Sequence, residues 1–418
     1  MQFLPTFLIR GATRTAIGAC LFVFGAQASF AQTAAPDWAA GIAPGTWQAI
    51  SLNQLEDVDP SKDSGLNRNY PDAPPWNGAS GQRAVITAWN GGAFAPTLGT
   101  KGSLLLHGGG HKDYFGSEVY AFDMSTRRWS RISNPYTGSM SWPQSDGSFP
   151  DGSPSIAHTY DMLEFDPGSN AFVTLSAQSN DAAYRVNVAH TLSLADRKWS
   201  HSTINSSVAV PGGGYSAYDT KRGVIWLEGG SSSTALVQYD ARVRNSDGTV
   251  GKWTNFPAKI RRTDSVGAYD PVHDILVVTG FRDGDNVYGI DLNNLDASAV
   301  TLNEVGTAPA KSSAHGWEWS STRGAFLYWR SGADVYEFRP PSGNWQTGQW
   351  TWSKLTSGSN SVTPNSASSD NGVYGRFRIA RYADQEIAVV VNGVSSSVYA
   401  FRIPTGIAPR APTNVTAE

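Results

Sequence analysis

From Leu104 to Ser133 the chain runs from an apolar stretch (Leu104, Leu105, Leu106) through His107 and three glycines into a polar loop. It then alternates apolar and polar positions from Glu118 to Asp123, turns, and ends on a short segment carrying Trp129. Alternation of period two predicts half-buried strands, and the glycine and polar clusters between them predict tight turns. This order returns six times: a short strand, a turn, an apolar strand closing on glycine or a small polar residue, a loop, and an alternating strand. The apolar strands fall at 103–107, 171–176, 224–228, 275–279, 325–329 and 386–391, and the alternating ones around Tyr120, Leu192, Gln238, Tyr288, Tyr336 and Tyr399. Successive anchors lie 72, 46, 50, 48 and 63 residues apart. The long first and last intervals hold Pro/Ser/Gly/Asp-rich and Ser/Asn-rich stretches, 134–155 and 357–371, which read as inserted surface loops.

A fourth, closing strand recurs at Trp129, Trp199, Trp253 and 350–355, but none follows Tyr399. The lone strand at Trp47 would supply it, closing a ring by pairing the two ends of the chain and leaving no sheet edge exposed. A glycine pair closing one strand, an aromatic in the next and a Trp near the end resemble the Kelch and galactose-oxidase-like family. The resemblance implies an all-β, Kelch-like β-propeller over residues 46–404. Six blades are expected; a seventh would have to hide in the polar Pro/Asp/Asn region 53–81.

Composition agrees with many short strands: 43 Gly, 48 aromatic residues and 16% charged residues. Arg10 and Arg14 precede an apolar run at 16–26 and small residues at 28–31, the pattern of a cleaved export signal over 1–31, too short to span a membrane. Residues 32–45 read as a leader and 405–418 as a linker-like tail. Loss of the signal leaves 30 basic against 35 acidic residues, a net of −5, which gives no bulk attraction to nucleic acid. It also removes Cys20, the only cysteine. Galactose oxidase needs a cysteine-linked tyrosine beside copper, so that chemistry is not carried over. The expectation is an exported, periplasmic or extracellular monomer without stable membrane insertion or cofactor.

Because consecutive blade strands reverse direction, loops between second and third strands share a face with the starts of first strands. One mouth of the channel would therefore gather His107, His111, Asp113 and Tyr114 from the first unit, with His158, Tyr160, Tyr215, Arg261, Arg262, Asp264, His315, Trp317, Tyr374, Arg376 and Arg378 from strand starts. Each has a plain alternative: His107 as a hydrogen-bonded core histidine, Asp113 as a turn residue, Tyr160 and Tyr374 as wedges between blades, Arg261 and Arg262 as a solvated pair. Together they suit an aromatic-lined site for a polar or anionic ligand. In a binding reading, Trp317 or Trp89 stacks on a sugar of a glycan or polysaccharide, or on a protein partner, while Arg262 or Arg376 pairs with a carboxylate; His107, Asp113, His315 and Tyr374 complete the surface.

In a lyase reading, which secreted lyases on propeller scaffolds suggest by analogy, His158 or His111 abstracts the proton beside a uronate carboxylate. Tyr160 or Tyr114 then protonates the leaving oxygen, and Arg262 neutralises charge. A two-carboxylate hydrolase has only Asp113 and Asp264 to draw on. His107 and His111 have helical ligand spacing but lie across a loop, so no metal site is expected. Asp57, Asp59 and Asp63 lack the glycine and glutamate of a calcium loop.

Overall fold

The computed structural model describes residues 33–66, 76–110, 113–138, 146–175, 177–178, 185–186, 188–207, 213–230, 232–282, 284, 286–367 and 371–406. The segment expected to be an export signal, His111 and most of the tail lie outside them. Six four-stranded antiparallel units form a six-bladed β-propeller. From inner to outer strand, blade 1 is Gly92–Ala95, Ser103–Leu106, Tyr120–Asp123 and Arg128–Arg131. Blade 2 is Leu163–Asp166, Ala171–Thr174, His190–Ser193 and Trp199–His201. Blade 3 is Tyr215–Asp219, Val224–Glu228, Ala235–Arg244 and Val250–Pro257. Blade 4 is Val266–Asp270, Ile275–Thr279, Tyr288–Asp291 and Val300–Thr301. Blade 5 is Gly316–Ser320, Ala325–Trp329, Tyr336–Arg339 and Gln349–Lys354.

Blade 6 is made from both ends of the chain: Arg378–Arg381, Glu386–Val390 and Tyr399–Arg402 are completed by Trp47–Ala49. Trp47 sits opposite Phe401 with ring centroids 5.1 Å apart. The expected closure of the ring by the N-terminal strand is therefore present. So are the six apolar strands, and no seventh blade occurs among the described residues.

Local sequence explains the hairpins at the far end of the inner strands. Asp166, Asp219 and Asp270 accept hydrogen bonds from backbone N–H groups two or three residues on, and Asn170, Gly223 and Asp274 take the left-handed conformation just before the second strand. A short polar side chain at one end and a residue tolerant of positive φ at the other fix a tight reversal.

Three features differ from expectation. The region 53–81 is not plain loop: its 3-10 turns Leu55–Val58 and Pro60–Lys62 lie beside blade 1, where the Asn53 side chain accepts from Trp129 N–H and donates to Trp129 O, covering the blade's outer edge. The insertion at 134–155 is partly internal, with Phe149 stacked on Tyr136 and Ser148, Ser153 and Ser155 buried. An extra strand, Asn303–Gly306, leaves blade 4 and pairs in parallel with the outer strand of blade 5. Among the described residues no helix is long and apolar enough to cross a membrane.

The middle of the channel is filled by a charged network that touches every blade. Arg378 of blade 6 donates to Gly92 O of blade 1 at 2.9 Å, to Leu163 O of blade 2 at 3.0 Å and to Glu318 of blade 5 at 3.1 Å. Ser216 of blade 3 donates to Glu164 at 2.9 Å, and Gly267 N of blade 4 to Asp161 at 2.9 Å. Asp161 and Glu164 each lie 3.8 Å from Arg378. Burial raises both carboxyls above their ordinary range, and the guanidinium opposes that rise.

Candidate functional site at the channel mouth

Two to four residues before each inner strand stands a residue in the left-handed conformation: Trp89, Tyr160, Gly213, Asp264, Ala314 and Tyr374, with φ from 47° to 86°. For residues other than glycine this backbone costs on the order of 1–3 kcal/mol, and it persists only where neighbours enforce it. Here they do: Tyr160 N–H donates to Trp89 O at 2.7 Å, and Tyr374 N–H to Ala314 O at 3.3 Å. The six residues ring one mouth of the channel. Glycine is required in blade 3, where a Cβ on Gly213 would lie 2.8 Å from the Tyr160 ring.

The ring brings side chains together across blades 2, 4 and 6. Tyr160 and Tyr374 meet edge to face at 5.7 Å. The Tyr374 hydroxyl donates to Asp264 at 3.2 Å, and Asp264 accepts from Arg282 Nε at 2.7 Å. Burial, then the Asp264 carboxylate, raises the Tyr374 hydroxyl well above its usual range, so it stays protonated and donating. The Arg282 side chain is 58% exposed and carries this chain of contacts to solvent.

His158 lies between Trp89 and Tyr160, with ring centroids at 4.9 and 5.8 Å. Its Nδ1 is 2.5 Å from Ala88 O, so that nitrogen carries the hydrogen and Nε2 is the basic one in the neutral ring. Trp89 is partly exposed. Arg262, also partly exposed, lies over Phe281 and Tyr288 at 5.4 and 5.8 Å, close enough for cation–π attraction.

Other expected members lie beneath the mouth. Trp317 is 2% exposed, stacked on Phe326 at 5.0 Å, and donates to Val277 O, so its faces are taken up by packing. Tyr114 is buried, its hydroxyl 2.6 Å from Glu118. His107 holds Glu118 O through Nδ1, and burial lowers its pKa to about 4; His315 holds Ser312 O and is lowered to about 3 by burial. Asp113 is half-buried and ties its loop to the chain at Ser80, whose N–H donates to Asp113 O at 2.7 Å.

Arg376 is fully buried, and its guanidinium donates to Val391 O, Asn90 O, Gly372 O and the Asn392 amide oxygen, all neutral acceptors. Burial, then neighbouring Arg330, lowers its pKa to about 9, which leaves it charged at neutral pH. Arg282 and Arg330 were not among the expected residues. Both follow second strands, in blades 4 and 5, and the loop rule that singled out His107–Tyr114 in blade 1 reaches them when applied to every blade.

Among the described residues no group of three or more His, Cys, Asp or Glu side chains is arranged to hold a metal ion. No protein-family model matches this chain, and no curated protein matches it.

Proposed function

We propose that this chain is an exported Kelch-type propeller that binds an acidic carbohydrate at the channel mouth. The observation that carries the reading is the convergence of Arg282, Arg330 and Arg376, from three consecutive blades, within electrostatic reach of Tyr374, with Arg262 two residues before Asp264 and the partly exposed Trp89 on the same rim. Buried Arg376 is bonded to neutral oxygens, so its charge adds to the field at the mouth. An aromatic face, which the partly exposed Trp89 offers, beside fixed guanidinium groups is what a sugar ring bearing a carboxylate requires. The Kelch assignment draws support from Gly109, where a Cβ would meet Ile156 at 2.4 Å, and from Trp129 packed on Phe122 at 5.3 Å.

A second reading, β-elimination of a uronate polymer, is favoured by the His158–Tyr160 pair. His158 Nε2 would take the proton beside the carboxylate, the bond to the departing sugar oxygen would break as the carbon–carbon double bond forms, and Tyr160 would return a proton to that oxygen.

One experiment addresses both. The protein is titrated with polygalacturonate, alginate, hyaluronan and neutral dextran while absorbance from unsaturated uronate ends is followed. Binding confined to the acidic polymers, weakened about tenfold or more by Arg262→Ala or Arg282→Ala, supports recognition. Equal binding to dextran, or no binding, removes it. Rising absorbance abolished by His158→Ala would make the protein a lyase.

A further inference from the structure

The chemistry of the mouth extends outward over blade 5, towards the 357–371 loop that follows it. A cleft of about 630 Å³ opens there, bordered by Lys311, Ser312, Tyr328, Arg330, Tyr336 and Ser366. Its size falls in the range of small-molecule sites, about 300–1,000 Å³. It lies on the mouth side of the ring: Ser312 stands two residues before Ala314, and Arg330 directly follows the second strand of blade 5.

Arg330 joins the two spaces. It is 8% exposed, donates through Nε to Ser312 Oγ at 3.0 Å, and lies within electrostatic reach of Tyr374 and Arg376. Burial lowers its pKa, the signature of a guanidinium withdrawn from water. The cleft's aromatic wall is Tyr328 and Tyr336, edge to face at 6.3 Å, with the Tyr328 hydroxyl tied to Ala310 O at 3.2 Å. Lys311 is fixed by Glu304 at 2.7 Å and lies over Trp352 at 5.9 Å, so its charge is locally matched. The lining also holds a half-buried Tyr336 ring, the Ser366 hydroxyl, the Asp334 carboxylate 3.5 Å from Lys354 Nζ, and the desolvated Arg330 guanidinium shared with the mouth.

We propose that this cleft is a second subsite, receiving the neighbouring units of an acidic polysaccharide whose central unit occupies the mouth. The inference rests on the carbohydrate reading of the mouth and deepens it: the ligand is a chain of several acidic sugars rather than a single one. A monosaccharide would engage the mouth alone, whereas an oligomer laid across Arg330 would gain the tyrosine wall. Two sites on one ligand act with a high effective concentration, so affinity should climb steeply with length and then level off.

The test uses size ladders of oligogalacturonate, oligoalginate and hyaluronan oligosaccharides with the full protein and two variants. Tyr336→Ala removes the ring, and Ser331→Trp places bulk at the exposed lip of the cleft. The expected result is an affinity gain of about tenfold or more from the shortest to the longer oligomers; both variants lose that gain and keep the affinity for the shortest ligand. Length-independent binding that Arg282→Ala abolishes would overturn the cleft and leave the mouth standing. An equal loss at every length in both variants, with circular dichroism unchanged, would also overturn it. No binding at any length sinks the mouth reading and the subsite with it.

Discussion

Arg376 illustrates how a residue suited to a ligand by type is used by the fold. Its guanidinium joins the start of blade 6 to Asn90 before blade 1 and to Val391 and Gly372 of its own blade. Arg376→Met would leave several buried oxygens without donors, at a cost of about 3–5 kcal/mol, read as a lower urea midpoint. Sequence placed this residue near the mouth but gave no sign of its depth, because burial depends on neighbouring blades. The same holds for Trp317, Tyr114 and His107. Tyr160 and Tyr374 were placed by strand alignment alone, and they do meet in space.

The buried histidines make a pH prediction at the same scale. His107, His190 and His315 are lowered from 6.5 to about 4, 3 and 3, chiefly by burial. Between those values and 6.5 the unfolded chain binds more protons than the native one, so their contribution to stability is intact above about pH 6.5 and falls as pH drops. Each contributes up to about a tenfold change in the unfolding constant per pH unit in that window. Asp161 and Glu164, raised by burial, work in the opposite sense: their folded forms hold protons longer, so stability is lost as pH rises through their titration. His315→Gln should therefore flatten the acid limb of a stability–pH curve measured by urea unfolding; an unchanged slope would refute the assignment.

At the level of the strand, a hydroxyl lock recurs. In blades 1, 2, 5 and 6 the backbone N–H just before the third strand donates to a Ser or Thr just after the outer strand: Val119 to Ser133, Ala189 to Ser202, Val335 to Thr356 and Val398 to Ser51. In three of these the hydroxyl stands four residues after a Trp, at Trp47, Trp129 and Trp352, and in blade 2 it stands three after Trp199. The spacing was present in the sequence, but it carries meaning only once the two strands are known to pair. Ser133→Ala should cost about 1 kcal/mol and speed hydrogen exchange at the Val119 amide. The parallel strand Asn303–Gly306 was less legible still. It has an exposed, mostly polar pattern, so no periodicity betrays it, and its partner belongs to the next blade.

For the whole molecule, six repeats were legible because each blade repeats one apolar strand and one alternating strand. The centre was not, since Arg378, Asp161, Glu164 and Glu318 come from three blades, and their meeting is a product of ring closure. That closure rests on Trp47, whose ring packs on Phe401 and Trp329 and whose indole N–H donates to Ala333 O. Trp47→Ala should destabilise the propeller by about 3–5 kcal/mol, with blade 6 amides losing hydrogen-exchange protection first. The seam also sets a clock. Trp47 is made early, and its partner Phe401 leaves the ribosome on the order of 20–70 s later at usual elongation rates. Throughout that interval the first strand has no sheet to join and the blades at the two ends of the growing arc each leave one apolar face uncovered, so birth of the ring is the period in which an escort that shields bare strands and apolar faces would matter most.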